Sequence, residues 1–372
     1  MKTLLIILLI VTGLAYLSQK ESMKYVNDDG RKHWDIFLII LIIFLVLFAG
    51  LRLGYNDTAH YIRGFQNSVN IHDFLLNKEN IELLNNPLFY GYQALVRSFT
   101  DNVNIFFMLC AIIVNVLNVT FIKRNVEKED FALSMFIYVA LGTLMISIAA
   151  QKQILAMSVL TLAITRLFKK KYLSYYIIVF FAGLIHTYAW MFVILPLLNS
   201  KPWTFKTYAM LIFTFVFMTT FQTSIMKFLE VADQVGKNVA IEEVLDGNKM
   251  NIFRVLVYSI IPMVALVFKN RLNDKYNEKT QLFIQMSIVS MLFMLMGTMN
   301  GANMFGRMAN YFEFGFICSL PWLIRQLFND KSVKLISMVL VVCFISFYLY
   351  DNQGFEYGYQ HKSITQFISE VV

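Results

Sequence analysis

The chain has 372 residues, of which 58% are hydrophobic and only 15% charged, and its formal net charge is +8. An ordinary soluble domain is about a quarter charged, and here apolar stretches long enough to cross a bilayer recur from end to end. A soluble enzyme is therefore excluded, and so is an outer-membrane barrel, whose strands would alternate polar and apolar residues. What remains is an all-α, polytopic membrane protein, because helices satisfy their own backbone in lipid.

In chain order, the apolar run 3–17 follows Lys2 and is read as a first span. No small-residue cleavage site precedes the charged segment 18–35, which argues against a signal peptide. Further spans are expected near 35–53, 103–122, 131–149, 153–168, 205–228, 251–268, 281–299, 310–328 and 333–350. With the segment at 173–198 this makes about 10–12 crossings within a single transmembrane domain, 1–372. The three cysteines, Cys110, Cys318 and Cys343, lie in apolar runs without metal-ligand spacing.

The basic residues orient these spans. Lys20, Lys24, Arg31 and Lys32, then Lys123, Arg124 and Lys128, then Arg166 with Lys169 to Lys171, sit in short loops. So do Lys269, Arg271, Lys275, Lys279, Lys331 and Lys334. The positive-inside rule assigns them all to the cytoplasm, so the charge reads as topology and not as nucleic-acid binding. The long loop 54–102 then faces outward, as does the acidic loop 229–250 with Glu230, Asp233, Glu242, Glu243 and Asp246. Loop 54–102 is rich in aromatics and is expected to fold, with an amphipathic helix over 87–99 presenting Phe89, Tyr92 and Val96 on one side.

The segment 173–198 lies between Lys169–Lys171 and Lys201, which both prefer the inside. It is too short for two crossings of about 20 residues each. A re-entrant hairpin with Gly183 and His186 near its tip resolves the conflict; a single long tilted helix is the alternative.

This topology gathers polar residues on the outer side. Arg52 ends the second span, Asp57 follows it, and Gln151, Lys152 and Gln153 form the turn between the fourth and fifth spans. His186 points outward from the hairpin, and Arg307 begins a span after the break NGANMFG, with Tyr311 one turn further. Each has a plainer reading. Arg52 and Arg307 can snorkel to headgroups, Asp57 can cap a helix, Lys152 can be a loop lysine, and His186 can bond a backbone carbonyl. Tyr55, Tyr61, Phe89, Tyr90 and Tyr92 can form an aromatic belt. Together, however, cations with one carboxylate suit displacement of a phosphorylated leaving group. Arg and Lys would stabilise the pyrophosphate oxygens, and Asp57 would take a hydroxyl proton. No Walker loop, HExxH, GxSxG or CxxC pattern is present.

The pattern G-x-R…N-D-x-x-x-Y at Gly50, Arg52, Asn56, Asp57 and Tyr61 resembles the start of the EpsG family, Wzy-like polysaccharide polymerases of bacterial capsule and exopolysaccharide clusters. The resemblance continues through QKQILAMSVLTLAI and GLIHTYAWMFVILP and closes with R-x-x-x-Y-F at Arg307, Tyr311 and Phe312, followed by Pro321. It covers nearly the whole chain. The family usually has Arg-Gln where this chain has Lys152-Gln153, and often an acid where this chain has Asn86 before Pro87.

The resemblance implies a glycosyltransferase of C-type architecture in the bacterial cytoplasmic membrane. It would join oligosaccharide repeat units carried on undecaprenyl pyrophosphate at the outer face, in capsule, exopolysaccharide or O-antigen synthesis. It implies no cofactor, metal or nucleotide sugar. Its partners would be lipid-linked oligosaccharides, membrane lipid, and flippase and chain-length regulator proteins. Asp57 is the candidate base and His186 a positioning or proton-shuttling residue. Arg52, Tyr61, Gln151, Lys152, Gln153, Arg307 and Tyr311 are the candidate substrate contacts. A flippase would use the same cations without chemistry, but should carry polar residues through to the cytoplasmic side. A membrane acyltransferase would want a paired histidine or a serine nucleophile.

Overall fold

The computed structural model describes residues 1–24, 35–77, 85–234 and 247–371. Its helices in chain order begin with α1 (Lys2–Lys24) and α2 (Ile36–Gly50), then a short strand β1 (Arg52–Gly54). Next come α3 (Thr58–Gln66), α4 (Ile71–Leu76), α5 (Pro87–Arg97), α6 (Val103–Asn125), α7 (Phe131–Ala140), α8 (Thr143–Ala149), α9 (Gln151–Phe168) and α10 (Tyr172–Ile185). A 3-10 segment, Thr187–Ile194, leads to α11 (Leu195–Leu198), α12 (Phe205–Thr219), α13 (Phe221–Gln234), α14 (Ile252–Val267) and α15 (Lys269–Leu272). The chain continues through α16 (Glu278–Met296), α17 (Ala302–Asn310), α18 (Glu313–Leu327), α19 (Asp330–Asp351), α20 (Phe355–Gly358), β2 (Gln360–His361) and α21 (Ile364–Val371).

The all-α, polytopic architecture agrees with the sequence. The helices α1, α6, α16 and α19 are long and apolar enough to cross a membrane. The segment Lys128–Ala140 with α8 makes a fifth candidate, bent by 47°. The bend falls at Gly142, whose φ of +97° lies in the left-handed region that glycine enters without penalty. Other expected spans are interrupted. The run 205–228 divides into α12 and α13 at Thr220, whose hydroxyl donates to the Val216 carbonyl at 2.8 Å, a local bond that competes with helical continuation. The run 310–328 becomes regular only at Glu313. The helix α2 has 15 residues, roughly 22 Å at 1.5 Å per residue, shorter than the hydrocarbon core of about 30 Å. Arg31, Lys32, Glu242, Glu243 and Asp246 lie outside the described residues.

Helix starts follow the chemistry of their caps. Asp35 accepts from the Leu38 N–H at 3.0 Å to begin α2, and Asn102 accepts from the Asn104 N–H at 2.9 Å to begin α6. Asn277 and Thr280 form a reciprocal capping box at the start of α16. Pro87 occupies the first turn of α5, where its missing N–H costs nothing.

Residues 1–189 and 330–371 form one compact unit. Within it α2 packs on α6, α6 on α9, α9 on α10, and α1 on α7 and α2. Gly50 permits the α2–α6 contact, since a Cβ there would lie 2.7 Å from Met108 Sδ and 2.9 Å from Met108 Cα. At the other end of these helices, Lys123 pairs with Asp35 and donates to Ser18 at 2.7 Å, while Ser18 donates to Asp35 at 2.7 Å. The basic ends of α1 and α6 thus meet at one level. Over its described residues, loop 54–102 folds as expected, into α3, α4 and α5; Phe89 and Val96 on α5 are buried.

Residues 190–329 form a second unit, in which α12, α14, α17 and α18 pack on α16. Here α18 approaches α16 so closely that a Cβ on Gly315 would collide with the Phe283 carbonyl oxygen and the Met286 side chain. The Trp203 indole N–H donates to the Pro262 carbonyl at 3.1 Å, and Lys269 donates to the Trp203 carbonyl at 2.6 Å.

Candidate functional site

The end of α2 delivers Arg52 into the protein interior with no solvent exposure. One Nη donates to the Ala49 carbonyl at 2.6 Å and the other to Gln151 Oε1. The guanidinium carbon stands 3.9 Å from the centre of the Phe107 ring, within cation–π range. The Nε–H has no hydrogen-bond partner. Among the described residues Arg52 makes no ion pair, so its charge is met by neutral oxygens and a ring face alone. Asn104 fixes the backbone beneath it, donating to the carbonyls of Gly50 at 3.3 Å and Arg52 at 3.2 Å.

Gln151, Lys152 and Gln153, expected in a turn, form the first turn of α9. The turn itself is confined to Ala150, which leaves helical geometry at φ −126°, ψ 76°. Placement on a helix separates the three. Gln151 and Gln153 face inward at 1% exposure, and Gln153 Nε2 lies 3.8 Å from Met157 Sδ. Lys152 is half-buried and turns the other way. Its Nζ donates to the Tyr90 hydroxyl at 3.0 Å and lies 5.0 Å from the Tyr90 ring centre. Its backbone N–H reaches the Tyr61 hydroxyl at 3.4 Å. Tyr61 is edge-on to Phe89 at 6.0 Å, so α3 and α5 meet above the first turn of α9.

Asp57 occupies the position before α3 and is half-buried, but its side chain makes no cap hydrogen bond. The helix is tied down by its neighbour instead: Thr58 donates to the carbonyls of Tyr55 at 2.6 Å and Ile148 at 3.3 Å. The capping alternative for Asp57 is therefore not what the carboxylate does. His186 lies where α10 stops, with extended backbone (φ −152°, ψ 126°) and its ring edge-on to Tyr188 at 5.1 Å. The next residue, Thr187, donates through its N–H to Asn86 Oδ1 at 3.2 Å. Asn86 holds a left-handed conformation at the start of α5. Arg52, Asp57, Tyr61, Gln151, Lys152 and His186 thus belong to elements that are directly bonded to one another within the first unit.

Arg307 and Tyr311 belong to the second unit. The expectation that Arg307 opens a spanning helix is corrected: it lies in the last turn of the separate helix α17, and α18 starts at Glu313. The unpaired N–H groups of a helix start are therefore not beside it; a last-turn cation is favoured by the opposite end of the helix dipole. Tyr311 is 1% exposed, in the corner between α17 and α18, with its ring 6.3 Å from that of Phe192. Phe312 stacks on Phe192 at 5.3 Å and on Phe293 at 6.0 Å.

Several residues that build these environments were not singled out by the sequence. Asn104 carried a signal, as a polar residue in an apolar span. Glu313 carried the same signal; it is 1% exposed and accepts from the Tyr258 hydroxyl, with the Asn310 amide 2.9 Å away. Phe107 carried none, because phenylalanine is an ordinary span residue. Tyr359 and His361 come from a distant C-terminal segment. There, β2 pairs antiparallel with β1, matching Arg52 with His361 and Gly54 with Gln360.

Comparison with curated proteins and with solved structures gives no match. The family comparison matches residues 35–362, from the cap of α2 to the residue after β2, and so includes every candidate residue described above. This multi-pass membrane chain belongs to the EpsG family, which is linked to exopolysaccharide biosynthesis.

Proposed function

We propose that the protein is a polysaccharide polymerase of the bacterial cytoplasmic membrane, joining undecaprenyl-pyrophosphate-linked oligosaccharide repeat units at the outer face. The observation that carries this reading is the uncompensated positive charge around the first turn of α9. Among the described residues Arg52 is buried without a carboxylate, and Lys152 is held by a phenol and ring faces. Lys152 is placed to meet an anion that arrives with substrate, and the buried charge of Arg52 adds to the positive field there.

In the proposed reaction a hydroxyl oxygen of the acceptor repeat bonds to the anomeric carbon of the donor chain. The bond from that carbon to the lipid pyrophosphate breaks, and the pyrophosphate leaves with the electron pair. Asp57 takes the hydroxyl proton. Lys152 meets the leaving oxygens as a point charge. Arg52, at zero exposure, acts through Gln151 and the β1 backbone as a positioning residue. Tyr90 supplies aromatic surface for sugar rings, and Tyr61 supports it from beneath through Phe89. His186 orients substrate or relays the proton, and Arg307 is a further cation for phosphate. The segment 173–198 is proposed as a re-entrant hairpin, with its chain break at His186, inside a single polymerase domain. Flippase and chain-length regulator proteins are the proposed partners.

The test is deletion followed by analysis of lipid-linked products. The polymer ladder is expected to collapse to a single repeat unit displayed on the outer face. Repeats retained on the cytoplasmic side would overturn the polymerase reading in favour of a flippase.

A further inference from the structure

The C-terminal helix α21 separates its residues cleanly. At 3.6 residues per turn Ile364, Phe367 and Ile368 fall on one face, and Thr365, Gln366, Ser369 and Glu370 on the other. Ile364 is 50% exposed and Ile368 53%. Two large apolar side chains one turn apart thus lie uncovered on the same side of a helix.

The height of this helix relative to the spans is set by three bonds. The Lys362 N–H donates to the Leu51 carbonyl at 2.8 Å, at the residue that follows α2. Asn102, the cap of the candidate span α6, donates to Glu370 at 3.4 Å. Lys362 also pairs with Glu370 across the polar side. The helix is therefore held beside the C-terminal end of α2 and the start of the candidate span α6, the level at which that span would leave the acyl region. An amphipathic helix at that level presents its apolar face to lipid.

The segment leading into α21 reaches the site already described. Beside the β1–β2 pairing, the Tyr359 hydroxyl donates to the Phe48 carbonyl at 2.9 Å, and the Phe355 ring lies 5.3 Å from that of Tyr55. These contacts bracket the loop from Arg52 to Asp57.

We propose that α21 is a membrane-interface anchor, its apolar face seated in lipid at the β1 end of the spans, and that it holds residues 355–362 as a strap across the Arg52–Asp57 loop. Lipid is the occupant because the ties to Leu51 and Asn102 place Ile364 and Ile368 at bilayer level. The chain already has helices long and apolar enough to cross a bilayer.

The experiment uses the full chain in nanodiscs, with the exposed Cys343 replaced by serine and the buried Cys110 and Cys318 retained. An environment-sensitive fluorophore is attached at Ile368→Cys or Gln366→Cys and quenched with brominated phospholipid. The Ile368 position is expected to be quenched about twofold or more above the Gln366 position, as an interfacial orientation requires. Equal quenching, or none at Ile368, would overturn the anchor; the latter is the result if a partner protein or second copy covers the face. The strap is read separately, by hydrogen exchange in Ile364→Ser/Ile368→Ser. The amides of residues 51–54 and 359–362 are expected to exchange about tenfold faster, equivalent to ~1.4 kcal/mol of easier opening. Unchanged exchange would overturn the strap. Neither readout depends on polymer formation, so these outcomes stand apart from the fate of the polymerase reading.

Discussion

The guanidinium of Arg52 donates to the side-chain oxygen of Gln151, 99 residues further along the chain, and both residues are buried. This bond joins the end of α2 to the first turn of α9. It leaves the arginine charge without a carboxylate partner among the described residues.

That relationship separates a stability role from a charge role. Gln151→Leu removes the acceptor and leaves a buried donor unmet, at a cost of about 1–3 kcal/mol. We expect a lower Tm in detergent and reduced membrane abundance. Gln151→Glu supplies a carboxylate at the same place, so folding should survive while the positive field is neutralised. Polymer should then be lost at normal abundance. Full-length ladders from Gln151→Glu would show that the positive field is not needed.

Asp57 makes no cap hydrogen bond, so its removal should not unfold α3. Asp57→Asn is expected to abolish polymer because the amide cannot take the hydroxyl proton. The measurement is ladder length at equal membrane abundance. Near-normal polymer length from this variant would remove Asp57 from the chemistry.

The two accessible cations should respond differently to exchange. Lys152 acts as a point charge held by Tyr90, so Lys152→Arg should retain activity while Lys152→Met loses it. Arg307→Lys keeps the charge but loses the planar fork, and a large loss of polymer is expected, with Arg307→Ala worse. The measurement is ladder length at equal membrane abundance. Wild-type ladders from Arg307→Lys would mean that the side chain merely reaches headgroups.

Close approach of α18 to α16 makes Gly315→Ala a packing lesion: the added methyl meets the Phe283 carbonyl and Met286. Overpacking of this kind costs about 1–3 kcal/mol, read as a lower Tm. Gly13→Ala in α1 is the control, since nothing lies within 4 Å of its Cβ position. It should be neutral or stabilising by about 0.5–1 kcal/mol.

The hairpin proposal is tested by labelling Lys201→Cys from outside intact cells after removal of the native cysteines. Little labelling is expected, with Lys170→Cys equally protected. Strong external labelling at Lys201 would instead favour one tilted helix through 198.

The sequence by itself determined what depends on composition and local order. Long apolar runs with few charges require helices in lipid, because backbone groups there have no water to bond. The positions of Arg52, Asp57, Lys152 and His186 at helix ends were also legible, since polar residues among apolar runs mark boundaries. Tertiary structure alone decided which of these charges are buried and which partners they have. Gln151 and Lys152 are adjacent in the chain, yet a helix turns successive side chains about 100° apart, so one meets Arg52 inside and the other meets Tyr90. The assignment of Arg307 to the start of a span failed because most of the run read as a break, NGANMFG, folds into a short separate helix of its own, Ala302–Asn310. The strap over β1 was invisible for a further reason. Pairing of Arg52 with His361 is a backbone contact between distant segments, and backbone hydrogen bonds are made by every residue type alike.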